Sequence, residues 1–107
     1  MNDISYELET LKSVILETVA VDKIILFGSY ANGTPSEESD IDLYVVMKDD
    51  AGIGELDALK SIYKGIRYKL TMPVDILTSR KSNFERRSKL LTLENDVASE
   101  GVILYGQ

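Results

Sequence analysis

The chain has no cysteine and no histidine among its 107 residues. Without cysteine it can form neither disulfides nor thiolate metal sites. Without histidine it lacks the commonest general base and the usual zinc ligand. Any catalysis must therefore use carboxylates, hydroxyls, lysine or arginine. No apolar run approaches the roughly 20 residues a membrane-spanning helix needs. The opening Met1-Asn2-Asp3-Ile4-Ser5 has neither the basic start nor the apolar core of a signal peptide, so a cytoplasmic location is expected. Positive charge is also scarce: 12 Lys and Arg against 18 Asp and Glu leave a net charge of −6. That is the wrong sign for passive nucleic-acid binding, which relies on basic patches to neutralise phosphates.

What is present is a globular composition, 44% hydrophobic and 28% charged. The length suits one domain over residues 1–107. Ile4, Leu8, Leu11 and Ile15 fall on one face of a helix expected over Asp3–Val19, capped by Asn2 or Asp3. A strand over Lys23–Phe27 ends at Gly28, a short helix covers Ser29–Gly33, and Thr34–Ser39 is a polar loop. In a second strand, Asp40–Met47, Ile41, Leu43, Val45 and Met47 share one face, while Asp40, Asp42, Tyr44 and Val46 share the other. After a mobile connection over Lys48–Gly54, a helix runs over Glu55–Lys69 with Leu56, Leu59, Ile62, Tyr63 and Ile66 on its apolar side. Lys60, Lys64, Arg67 and Lys69 form a basic stripe on the other side. A third strand, Val74–Thr78, leads to one last helix that starts at a Ser82/Glu85 capping box and ends near Glu100. Val102–Tyr105 forms a short closing strand. The fold class is α/β: a small mixed sheet with helices packed on one face and chemistry on the other.

The chemistry is concentrated in Gly28-Ser29 and the acids that follow. A strand ending at glycine lets backbone N–H groups approach a phosphate, and a helix starting there adds its dipole. The spacing Gly28-x-x-x-x-Gly33 also fits a P-loop, but Thr34-Pro35 stands where that loop requires lysine and a hydroxyl residue. Phosphate charge must therefore be neutralised by something other than a P-loop lysine. Asp40 and Asp42 are two apart on a strand and point the same way, so both can converge on hard cations about 3.5–4 Å from one another. Mg²⁺ prefers such oxygen ligands. Asp75 is the single acid in the Val74–Thr78 run and reaches the same place if that strand pairs beside the second. Asp-x-Asp alone is commonly a polar strand entrance. Its combination with Gly28-Ser29 and Asp75 is what points to a site.

Gly28-Ser29, ten residues, then Asp40-Ile41-Asp42 resembles the signature of the nucleotidyltransferase superfamily that includes DNA polymerase beta. The short chain and its Asp75 strand are most similar to the minimal nucleotidyltransferases, antitoxins that accompany HEPN ribonuclease toxins. The resemblance implies that Gly28, Ser29 and Asn32 hold the triphosphate of ATP. It further implies that Asp40 and Asp42 bind two Mg²⁺ ions, and that Asp75 completes one metal site and helps activate the acceptor hydroxyl. It also implies a partner, a HEPN toxin modified with AMP on a tyrosine, while the net charge and the lack of a long apolar run argue against direct nucleic-acid or membrane binding. The family often has Ala-Arg-Gly where this chain has Ala31-Asn32-Gly33. Asn32 donates hydrogen bonds without charge, which keeps open a second reading, an antitoxin that neutralises its partner by binding.

Overall fold

A computed structural model describes residues 3–106. Its elements run α1 (Ser5–Thr18), β1 (Val21–Phe27), α2 (Ser29–Asn32), β2 (Ile41–Met47), α3 (Glu55–Ile66), β3 (Val74–Arg80), α4 (Lys81–Ser88), α5 (Leu93–Glu100) and β4 (Val102–Tyr105). The strands form one sheet in the order β3-β2-β1-β4. β1 pairs antiparallel with β2 and with β4. β2 and β3 are parallel, with α3 carrying the crossover that parallel pairing requires.

The period-two pattern of the strands sorts the interior into two layers. Ile24, Leu26, Ile41, Leu43, Val45, Met47 and Ile76 face Leu11, Val14 and Ile15 of α1 and Ala58, Ile62 and Ile66 of α3. On the opposite face Ile25, Tyr44 and Val46 pack with Phe84 of α4 and Val97 of α5. The mixed α/β class is thus as expected, with one addition: α1 and α3 cover the anticipated face, whereas α4 and α5 cover part of the other. Among the described residues no helix is long and apolar enough to cross a membrane.

Several boundaries differ from those expected, for local reasons. α1 begins at Ser5 with Ile4, not Asp3, in the cap position and no side-chain capping bond, although the Ser5 N–H donates to Asp3 Oδ1 at 2.9 Å; Asn2, also expected as a cap, lies outside the described residues. α3 stops at Ile66 because Arg67 turns extended and Tyr68 reverses the chain at φ 68°. β3 continues to Arg80, two residues beyond its apolar run, because the ladder with β2 persists to Met47↔Arg80. The expected single C-terminal helix is two. Thr92 Oγ1 accepts from the N–H of Asn95 and donates to the Arg87 carbonyl at 2.6 Å, and the Asn95 amide donates to the Ser88 carbonyl. Thr92 thus caps α5 while it and Asn95 satisfy the end of α4. Ser82 is no helix cap either, since its N–H and hydroxyl both donate to Asp49 Oδ1.

β3 is an edge strand with two of its outward N–H groups occupied. The N–H of Ile76 donates to the Tyr63 hydroxyl at 2.8 Å and that of Arg80 to Glu55 Oε2 at 2.7 Å. Burial alone would raise the Glu55 carboxyl, but the Arg80 N–H, the Asn83 amide and the Arg87 and Arg80 charges outweigh it and hold it below its ordinary value. The Arg80 guanidinium donates to the carbonyls of Asp49 and Ile53, tying the connection between β2 and α3 to the sheet.

Candidate active site

The site lies where β1 ends and β2 and β3 begin. In the ladders Phe27 is opposite Asp42, and Asp42 is opposite Asp75. Residues opposite one another in adjacent strands share a face, and strands lie about 4.8 Å apart. Asp42 and Asp75 therefore stand side by side on the face that carries Tyr44 and Val46. A one-residue slip of β3 would have sent Asp75 to the other side. Asp40 sits one residue ahead of β2 and is half-buried, as is Asp42, while Asp75 is exposed.

Gly28 closes this corner. It adopts φ 77° and ψ −157° as the residue before α2, a conformation that disfavours any side chain. A Cβ placed there would overlap Asp42 Oδ2 and lie 3.1 Å from its Cγ. Glycine at this position thus serves two needs, the turn into α2 and room for the Asp42 carboxylate. Ser29 opens α2, Asn32 donates its N–H to the Gly28 carbonyl at 3.0 Å, and Gly33 ends the helix in the left-handed region. The Asn32 side chain is exposed.

Electrostatics mark the acids as a group. Burial pushes the Asp42 carboxyl above its ordinary value, and the neighbouring carboxylates of Asp75 and then Asp40 push it further. Among the described residues, no group of three or more His, Cys, Asp or Glu side chains is placed to hold a metal ion. The donor chemistry still fits a hard cation. Burial and acidic neighbours disfavour the charged form of Asp42, beside a turn that leaves room only for glycine, and a hard cation such as Mg²⁺ would relieve that cost. Asp40, Asp42 and Asp75 are the residues that would hold it.

A cavity of about 260 Å³ adjoins the turn, lined by Phe27, Gly28, Asn32, Leu93, Asp96, Val97, Glu100 and Gly101. α5 therefore belongs to the site's surroundings, which the sequence reading treated only as a packing helix. Nothing in its local sequence places this helix against the Gly28 turn. Tyr44, two residues along from Asp42, is 2% exposed and donates to Glu94 at 2.7 Å. Burial pushes its hydroxyl pKa up to about 12, so it is a core residue. Glu37 and Glu38, in the polar loop, are exposed. Of the basic residues after the Val74–Thr78 run, Arg80 holds the preceding loop and Lys81 lies 3.9 Å from Asp22.

Comparison with known proteins shows the family and the fold. A protein of Methanocaldococcus jannaschii named as a protein adenylyltransferase is 31% identical over 79% of this chain and 79% of its own length. Another from the same organism, with the same kind of name, is 30% identical over 75% and 79%. Among solved structures, a nucleotidyltransferase from Sulfolobus solfataricus superposes with a TM-score of 0.64 at 18% identity, covering 97% of this chain and 80% of that one. A toxin–antitoxin structure with AMP-PNP gives 0.60 at 22% identity, over 94% and 73%. A mutant of the toxin–antitoxin pair MntA-HpeT gives 0.58 at 21%, over 99% and 75%. At these identities the structures establish the shared fold. Residues 9–107 match the family described as "Polymerase beta, Nucleotidyltransferase", and the chain belongs to that nucleotidyltransferase family.

Proposed function

We propose that this nucleotidyltransferase moves AMP from ATP, with Mg²⁺, to a hydroxyl presented by a partner protein, and that the acceptor is a tyrosine of a HEPN toxin for which the chain is the antitoxin. The observation that carries the reading is the ladder register that sets Asp42 beside Asp75, with Gly28 packed against Asp42. The adenylyltransferase names of the archaeal relatives and the toxin–antitoxin assemblies among the structural neighbours support the same direction.

In this reading the Gly28-Ser29 turn receives the triphosphate through backbone N–H groups and the Ser29 hydroxyl. Mg²⁺ held by Asp40, Asp42 and Asp75 would supply the charge neutralisation that a triphosphate needs beside three carboxylates. The acceptor hydroxyl oxygen bonds to the α-phosphorus as the bond to pyrophosphate breaks. Asp75, exposed on the edge strand, faces the side from which a large acceptor can approach and takes the hydroxyl proton. The chain's main contribution is to hold these groups in line. Incubating the partner with ATP and Mg²⁺ and mapping it by mass spectrometry should find AMP on a tyrosine. The modification should be missing when Asp42→Asn replaces the wild type. An unmodified partner, or one modified equally by the variant, would reject the assignment.

A second reading, neutralisation by binding, is favoured by one observation: the cavity beside the turn holds Asn32, Asp96 and Glu100 and is lined by no cation. If the Asp40→Asn/Asp42→Asn double variant still neutralises the toxin fully, binding suffices. Restored toxicity supports catalysis.

A further inference from the structure

We propose that the groove between α3 and the start of β3 docks an amphipathic helix of the partner protein, apolar on one face and flanked by acids. The groove measures about 630 Å³, and its floor is apolar: Leu59, Ile66, Leu70, Met72 and Val74. Every charged residue lining it is basic, namely Lys60, Lys64 and Arg67, in a chain whose net charge is −6. These three follow the helical spacing i, i+4 and i+7, so they form one rail along the groove.

Two features select a helix as the occupant. Strand addition to the β3 edge is blocked where Tyr63 and Glu55 already accept the N–H groups of Ile76 and Arg80. An apolar trough with charge along one side matches the helix-in-groove mode, in which anchors at i, i+3 or i+4 and i+7 fill the floor. Acidic flanks would complement the basic rail. Single-stranded RNA fits less well, since the trough is apolar and its one aromatic, Tyr63, has its hydroxyl engaged by the backbone. Val74 lines the groove, and the next residue, Asp75, points to the opposite face of the same edge strand. A partner seated here lies across one strand edge from the carboxylates. That a partner protein is present and is also the nucleotidyl acceptor rests on the function proposed above.

The test uses the full chain and a fluorescein-labelled synthetic peptide of about 18 residues, five helical turns, with Leu along one face and Glu on its flanks. Fluorescence anisotropy should show saturable binding that weakens with added salt. The Lys60→Glu/Lys64→Glu/Arg67→Glu variant should bind at least about tenfold more weakly, a change of about 1.4 kcal/mol. The milder Lys60→Gln/Lys64→Gln/Arg67→Gln variant should fall between, which keeps the test decisive if the charge reversal fails to fold. A peptide with Lys in place of every Glu should bind at least about tenfold more weakly to the wild type. Four results overturn the proposal: no saturable binding, equal binding of the Lys peptide, tighter binding of a single-stranded RNA of similar length, or self-association of the wild type that the charge reversal abolishes. Transfer of AMP is measured separately. Lost docking with intact transfer removes only this inference, and intact docking without transfer removes only the proposed function.

Discussion

The two faces of the sheet divide the labour. Under α1 and α3 lies a dry layer in which Leu11, Ile15, Ile24, Ile41, Leu43, Val45, Met47, Ala58 and Ile62 are all 0% exposed. On the other face α4 and α5 cover only a small cluster around Tyr44 and Phe84, and the row Phe27, Asp42, Asp75 is left partly open. β2 serves both. Its odd-numbered residues Ile41 to Met47 anchor the closed layer, while Asp42, at its start, stands on the open one. A register fixed by burial on one side thereby fixes the placement of charges on the other, so packing energy on the closed face holds like charges together that would otherwise separate.

The strongest way to break this division is Asp42→Asn. Transfer should fall by more than the roughly 100-fold that even an outer-shell metal partner can cost, as read by incorporation of label from ATP. Stability should move the other way. The Asp42 pKa is raised in the folded chain above its ordinary 3.8, so the folded state loses stability as pH rises through that range. The variant should melt at least as high as the wild type at pH 7, with the difference vanishing below pH 3.8. A lower melting temperature at pH 7 would place Asp42 in the structural layer instead.

Next comes Leu43→Ala, on the neighbouring residue but the closed face. It should cost about 3–5 kcal/mol in chemical unfolding. Leu93→Ala beside the site, where Leu93 is 44% exposed, should cost under about 1 kcal/mol. Equal losses would erase the contrast between the faces. Gly28→Ala joins the two effects: strain from φ 77° should cost about 1–3 kcal/mol, and overlap with Asp42 should lower transfer by more than that instability explains. Glu55→Gln should have an effect as small as that of Leu93→Ala, under about 1 kcal/mol at pH 7. Because the Glu55 pKa is lowered from 4.5, its contribution is present above that value and lost as pH falls through the folded pKa. The variant and wild type should converge in acid.

Much of this was legible in the sequence. Strand alternation in β2 assigned both faces correctly, and the lone acid in Val74–Thr78 falls opposite Asp42 in the ladder. The elements read least well were those whose boundaries depend on distant partners. Ser82 and Glu85 have the spacing of a capping box, yet Asp49, 33 residues away, captures Ser82. The last helix reads as continuous to Glu100, but the Thr92 cap breaks it and leaves Leu91 fully exposed. The cavity formed by α5 with Gly28 and Asn32 was unreadable for the same reason: nothing local places a helix 60 residues downstream against the first turn.

The most direct test of the central claim is to supply ATP labelled at the α-phosphate or at the γ-phosphate in parallel, with Mg²⁺ and the partner protein, to the wild type and to Asp42→Asn. Label reaching protein from the α-position only, and only with the wild type, is the predicted result. Label arriving from the γ-position, or undiminished α-label with the variant, would contradict nucleotidyl transfer at these carboxylates.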